Sequence, residues 1–326
     1  MNEDLKFDVT AIGELLIDFT FVGKNDAGQN LFAQNPGGAP ANVLTQIQKL
    51  GGKTAFIGKV GNDMHGVFLK SVLDSQNINT QGLVFDDRYF TTLAFVNIDS
   101  NGERTFSFAR KPGADTCLEE AEIDFNLLNN TKIFHTGSLS LTDEPSRSAV
   151  YSAVKYAKTN SCLISYDPNY RASLWEDEDS AVFYMRSLIP FADLMKISEE
   201  EAFLLSGNSD IEKSAEILFK QGVKVVAVTL GAKGCFIYNK MGGKYVNSSK
   251  SDFVIDTTGA GDSFWGAFLF SILQLKRNID EISLEQLSKC ADFANAAASL
   301  CIEKQGAIPA MPDMYSIKLR LKNRVL

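Results

Sequence analysis

Histidine is nearly missing from this chain: 326 residues contain only His65 and His135. That leaves little material for a Ser–His–Asp triad and less for a multi-histidine metal centre. Cysteine is sparse and unpatterned. The five residues, Cys117, Cys162, Cys235, Cys290 and Cys301, are odd in number, widely spaced and without a CxxC, which reads as reduced thiols in a cytosolic protein. No stretch approaches the ~20 apolar residues of a bilayer span. The first residues carry Glu3, Asp4 and Lys6, unlike a signal peptide, so the expectation is a cytoplasmic protein with no membrane partner. Positive charge is in deficit, with 32 Lys and Arg against 40 Asp and Glu, a net −8, which argues against a nucleic-acid partner. Neither GxxxxGK[ST] nor a GxGxxG after the first strand-like run occurs, so the P-loop and the NAD-binding Rossmann fingerprints are both absent.

What remains is ordinary globular composition, 45% apolar and 10% aromatic, ample for a large core. Strand-like runs recur at Phe7–Gly13, Thr54–Gly58, Lys132–His135, Cys162–Tyr166, Leu194–Ile197 and Val223–Thr229, with amphipathic segments such as Ser146–Thr159 and Asp210–Gln221 between them. Short apolar strands alternating with helices of this length predict an α/β fold, a mostly parallel central sheet with helices on both faces. One region breaks the alternation. Thr91–Ile98 and Arg104–Phe108 are β-rich and joined through Asp99-Ser100-Asn101-Gly102, an Asn-Gly hairpin signal. With Leu15–Val22 they predict a small antiparallel sheet, a lid inserted from about residues 15–36 and 88–112 into a single domain spanning 1–326. A sheet of this kind needs its exposed face covered by a ligand or a partner.

The most informative stretch is Asp256-Thr257-Thr258-Gly259-Ala260-Gly261-Asp262-Ser263. It follows the strand-like Phe253-Val254-Ile255 and leads into helical spacing from Ser263 to Leu275. Gly259, Ala260 and Gly261 lack bulk, so consecutive backbone amides at a helix N-terminus can form an anion hole for a transferring phosphoryl group. Asp262 in the first turn either complements the helix dipole or accepts a substrate hydroxyl proton. A weakly basic but well-placed carboxylate suffices for phosphoryl transfer, whose transition state is loose. A second cluster, Asn35-Pro36-Gly37-Gly38-Ala39-Pro40-Ala41-Asn42, reads as a close-approach loop with Asn42 opening a helix, or as a plain turn and cap.

These two clusters, in this order and about 220 residues apart, resemble the two signatures of the ribokinase/fructokinase (PfkB-type) family of sugar kinases, and the likeness runs over essentially the whole chain. Gly13-Glu14-Leu15-Leu16-Ile17-Asp18-Phe19, Gly102 to Arg110, His135 to Leu141 and Asp167-Pro168-Asn169-Tyr170-Arg171 are similar to segments of its fructokinase branch. The resemblance implies a ribokinase-like fold and an ATP-dependent kinase acting on the primary hydroxyl of a ketohexose, fructose to fructose 6-phosphate. It implies that Asp18, Gly37, Gly38 and Asn42 bind sugar hydroxyls, that Phe108 and Arg110 cover the sugar, and that Arg171 stabilises charge on the moving phosphate. Lys196-Ile197-Ser198-Glu199-Glu200-Glu201 is similar to the family's NxxE element. Here Lys196 would face the nucleotide and Glu201 would organise Mg2+ through water, while Ser198 replaces the family's Asn. Thr229, Gly231 and Gly234 match the nucleotide-binding strand-turn, Asn295 the adenine side, and Asp256 and Thr258 the position of a monovalent cation such as K+. The family also implies a homodimer through the lid. Two alternatives stand beside fructokinase: a 2-keto-3-deoxygluconate kinase, and a catalytically silent sugar-binding relative.

Overall fold

Neighbouring residues of the main strands are buried against opposite sides of one sheet. In Val225–Thr229, Val225 and Ala227 join the apolar core on one face and Val226 and Val228 the core on the other; in Thr54–Gly61, Phe56 and Val60 part from Ala55 and Ile57 in the same way. A sheet buried on both sides must be covered by helices on both sides, which the alternating sequence supplies. The computed structural model describes residues 6–98 and 104–323, with side chains described for all of these but 97, 98 and 104–106.

The strands are β1 (Phe7–Ile12), β2 (Leu16–Lys24), β3 (Asn30–Gly37), β4 (Thr54–Gly61), β5 (Asn79–Asp86), β6 (Leu93–Ile98), β7 (Arg104–Ala109), β8 (Thr131–Thr136), β9 (Leu163–Tyr166), β10 (Leu194–Ser198), β11 (Val225–Thr229), β12 (Cys235–Asn239) and β13 (Gly242–Val246). Nine of them form the main sheet in the order β13-β12-β11-β10-β9-β8-β1-β4-β5. It is parallel from β5 to β11, with β12 and β13 antiparallel at one edge. One face carries α1 (Ala39–Lys49), α2 (Met64–Ser75), α8 (Ala260–Gln274), α9 (Leu284–Cys301) and α10 (Met314–Asn323). The other carries α3 (Phe125–Asn129), α4 (Ser146–Thr159), α5 (Glu178–Leu188), α6 (Glu199–Ser206) and α7 (Ile211–Lys220). The chain runs outward from β1 through β4 and β5 on one side, and through β8 to β13 on the other. The crevice at the carboxyl ends of β1 and β8 is therefore a topological switch point, where open α/β sheets bind ligands.

The second sheet has the order β3-β2-β6-β7. It is mixed rather than antiparallel: β2 runs parallel to β6, while β3–β2 and β6–β7 are antiparallel pairs. The expected hairpin turn at Asp99 to Gly102 lies outside the described residues. Alternation gives this sheet two chemically different faces. Asp18, Thr20, Asn35, Val96 and Phe108 line a cavity against the main body. On the other face Phe19 stacks on Phe95 at 5.4 Å, and Phe95 meets Phe32 edge-on at 6.0 Å.

Other local expectations also change. Phe253-Val254-Ile255 is not a strand; all three side chains are exposed and the Ile255 amide bonds to the Ile302 carbonyl at 2.8 Å. Helix α1 begins three residues earlier than expected, because Pro40 is preset for a first helical turn. Gly38 is therefore the N-cap, and Asn42 sits within the first turn rather than at its opening.

Candidate active site

The N-terminus of α8 sits at the cavity wall. Gly259, its N-cap, has φ 77°, and a Cβ there would come 2.7 Å from Ala307 Cβ, so both the backbone and the space require glycine. The Ala260 amide reaches Thr257 O at 3.3 Å and the Ser263 amide reaches Gly259 O at 2.7 Å. Gly261 and Asp262 lie between them on the cavity wall, where first-turn amides have no carbonyl within the helix to use.

Asp262 is buried, and its Oδ2 accepts a hydrogen bond from Asn42 Nδ2 at 2.8 Å. Burial pushes its carboxyl up to about 6; Lys196 pulls against this, Asp167 adds to it, and Asn42 and Arg171 lower it. Lys196, from β10, is buried and pairs with Asp167 Oδ2 at 2.8 Å. Burial opposes its charge, but the carboxylates of Asp167, Glu201 and Asp262 hold its ammonium above the ordinary value. The site thus holds a carboxylate that is ionised at neutral pH yet basic enough to take a proton, with a cation beside it and helix amides adjoining.

Toward the second sheet the wall turns polar. At Gly37 a Cβ would fall 2.3 Å from Asp18 Oδ2, so the absence of a side chain is what makes room for that carboxylate. Asn42 Oδ1 is buried and has no hydrogen-bond partner among the described residues. Asp18, Gly38, Asn42 and Phe108 all line the cavity. Arg110 does not. It follows β7, is 5% exposed, and spends its guanidinium on Asp115 Oδ2 (2.8 Å), Thr142 Oγ1 (2.9 Å) and Leu139 O (2.8 Å). The structure thus places Arg110 beneath the wall rather than over the opening, because its buried charge is answered by Asp115.

At the other end, Ser198 and Glu201 make a reciprocal capping box on α6, with Ser198 Oγ accepting from the Glu201 amide at 3.1 Å and Glu201 Oε2 from the Ser198 amide at 2.7 Å. Glu201 Oε1 accepts from the Tyr170 amide at 2.7 Å, which ties the Asp167–Arg171 loop to α6. Arg171 itself is exposed and lines the cavity. Thr229 lies beside Ser198 in register at the end of β11. Gly231 and Gly234 form the turn that follows, and Asn295 Nδ2 holds the carbonyls of Val246 (3.2 Å) and Asn247 (3.0 Å). None of these four lines the cavity; Thr229 adjoins it through Ser198, which does. The Asp256 carboxylate accepts from the Thr258 amide at 2.8 Å and the Gly306 amide at 3.0 Å. Among the described residues no group of three or more His, Cys, Asp and Glu could hold a metal ion by itself.

Two further residues reach the site that the sequence reading left without a role. Asp167 anchors Lys196, and Glu14, two residues after β1, is buried at the cavity wall. An acid two residues beyond an apolar strand, at the carboxyl edge of a parallel sheet, is the signal that could have marked Glu14. His135, on β8, is buried with its Nδ1 2.9 Å from Ser165 Oγ, and burial lowers its imidazole to about 3.

The cavity has a volume of about 700 Å³ and brings the two glycine clusters together. Comparison with known proteins agrees with this arrangement: the model of the pfkB family carbohydrate kinases matches residues 6–314. The chain belongs to that family. This carbohydrate kinase is 43% identical over 316 residues to fructokinase-2 of Oryza sativa, covering 94% of the chain and 91% of the relative. It superposes on an ATP-bound fructokinase from Xylella fastidiosa with a TM-score of 0.91 at 29% identity, covering 99% and 100% of the two chains. A double-mutant fructokinase from Vibrio cholerae, solved with fructose, ADP and a potassium ion, gives 0.86 at 31% identity, covering 98% and 100%. No helix among the described residues is long and apolar enough to cross a membrane.

Proposed function

We propose that this carbohydrate kinase is a fructokinase whose base is Asp262, working as one catalytic unit with the second sheet as its lid. The observation that carries the reading is the hydrogen bond from Asn42 to Asp262, which joins the sugar wall to the phosphoryl end in one cavity. The primary hydroxyl oxygen of fructose attacks the γ-phosphorus of ATP. The bridging P–O bond breaks with its electron pair going to ADP, and the hydroxyl proton passes to the Asp262 carboxylate. The amides at Gly259 to Gly261 and the cation of Arg171 take the charge that develops on the transferred group. Lys196 holds Asp262 ionised and fixes Asp167. Phe108 and the lid exclude water, a rival acceptor.

Mg2+ carried with ATP would neutralise phosphate charge, and Glu200 and Glu201, which line the cavity, would hold it through water. The donor set fits that role: both Glu201 oxygens already accept backbone amides, which leaves contact through water, as Mg2+ prefers. Asp256 and Thr258 offer hard oxygen donors for a potassium ion, as expected from the family. The aromatic outer face of the lid, with Phe32 and Phe95 about two-fifths exposed, supports a homodimer through the lid; sedimentation of the purified chain at two concentrations tests it.

The deciding experiment is ADP release on adding fructose, compared between wild type and Asp262→Asn. Turnover should fall ~10²–10⁴-fold, the contribution of a positioned base, while sugar and ATP still bind. Near-normal turnover in the variant would refute the assignment.

A further inference from the structure

Glu14 takes no part in the transfer described above, yet it is 2% exposed on the wall of the same cavity, beside Asp18, Gly38 and Asn42. It stands where the chain leaves β1 for the lid. Its Oε1 accepts the Ala39 amide at 2.9 Å, which fixes the carboxyl against the first turn of α1. The cation that acts on it is Arg110, which is already paired with Asp115 at 2.8 Å. On the same wall, Asn42 Oδ1 is a buried acceptor with no partner among the described residues. The cationic lining residues, Arg171 and Lys196, belong to the phosphate end. The sugar end therefore offers acceptors and negative charge. A hydroxyl can donate to these groups, whereas a carboxylate or phosphate has no proton to give and meets like charge.

We propose that Glu14 restricts the acceptor to uncharged sugars: its carboxylate accepts a hydrogen bond from a sugar hydroxyl and repels sugar acids and sugar phosphates. This rests on the kinase reading above. Burial pushes Glu14 up to about 7, its own amide, the Ala39 amide and Arg110 pulling it down and Asp115 pushing it further up. An anionic sugar can thus enter by loading a proton onto Glu14, at a cost that grows as pH rises. The charged groups around it are Arg110 and Asp115 behind, Asp18 on β2, and Asp262 and Lys196 across the cavity; the first turn of α1 carries no acid. Asp262 serves every acceptor alike and cancels in a ratio of two substrates.

The test is the ratio of kcat/KM for fructose to that for 2-keto-3-deoxygluconate, measured by coupled ADP detection from pH 6.5 to 8.5. In wild type the preference for fructose should widen by about tenfold or more over this range, since each pH unit above the pKa costs a factor of ten. Glu14→Gln keeps an oxygen for the Ala39 amide and should show a smaller preference that does not change with pH. A flat ratio in wild type, or an unchanged ratio in the variant, overturns the proposal; if the variant does not fold, the wild-type course decides alone. Failure of the kinase reading would look different, as no sugar-dependent ADP from wild type with any sugar. Calorimetric binding of the same two sugars to wild type and variant at pH 7 and 8.5 would then decide the Glu14 question: a gain of the acid relative to fructose in the variant supports it, and no gain overturns it.

Discussion

Replacing Lys196 by methionine should move the pH at which this kinase loses its base. The Asp262 carboxyl is raised from 3.8 to about 6, burial being the largest influence and Lys196 the largest opposing it. In the proposed mechanism the working form is the carboxylate, so activity should be lost as pH falls through about 6, tenfold per unit below that value. An opposite charge close to a carboxyl lowers it by about 1–3 units, so Lys196→Met should raise the acidic limb by at least about one unit. Asp167, left without its partner, acts in the same direction. The assay is kcat/KM for fructose between pH 5 and 8.5 in wild type and variant, with thermal melts to confirm that both are folded. The wild-type limb should lie near 6 and the variant's near 7 or above, so the variant's deficit at pH 6 should exceed its deficit at pH 8 by about fivefold or more. A residual deficit at pH 8 that does not vary with pH measures any direct contact of Lys196 with phosphate. A limb that stays in place, or moves down, refutes the account of how the base is tuned.

Three other outcomes follow from the geometry. Gly37→Ala places a Cβ 2.3 Å from Asp18 Oδ2 and should raise the KM for fructose by about tenfold with little change in the KM for ATP, as steady-state kinetics would show. Arg110→Ala leaves Asp115 buried and unpaired and should cost about 3–5 kcal/mol of unfolding free energy in urea; a loss below about 1 kcal/mol would contradict the buried pairing. Glu14 and Asp262 are acids raised on folding, to about 7 and about 6. The stability they contribute is complete below their unfolded values and lost as pH rises through these folded ones. The ligand-free protein should therefore lose stability between pH 5 and 8, by about 2–3 kcal/mol from Glu14, and Glu14→Gln should remove most of that slope.

The main sheet was legible because its strands are short apolar runs between amphipathic helices, a pattern that admits few other packings. Helix α4 matches the expected Ser146–Thr159 because its apolar residues recur at helical spacing. The lid was less legible. Strand β3 contains Asn30, Gln34, Asn35 and Pro36, which read as loop; it is a strand because β2 supplies its hydrogen bonds. The parallel pairing of β2 with β6 is a tertiary choice that no local signal encodes. In the site, glycine clusters and first-turn acids announce themselves by composition, so the bend at Gly259 and the place of Asp262 in the first turn of α8 were readable. Arg110, expected to cover the sugar, lies beneath the wall because it pairs with Asp115, five residues on, and that buried pairing shows only in the folded chain. Glu14 was passed over because burial, which gives it its chemistry, is a property of the folded chain.

One bond has an evolutionary consequence. In the proposed mechanism residue 42 belongs to the surface that selects the acceptor and residue 262 to the machinery that activates it, yet the two side chains hold one another. A lineage or a designer that retargets this scaffold by changing position 42 alters the reactivity of the carboxylate in the same stroke. New acceptors are more accessible through positions that lack that tie, the lid strands foremost, where shape can drift while the proton-accepting group keeps its setting.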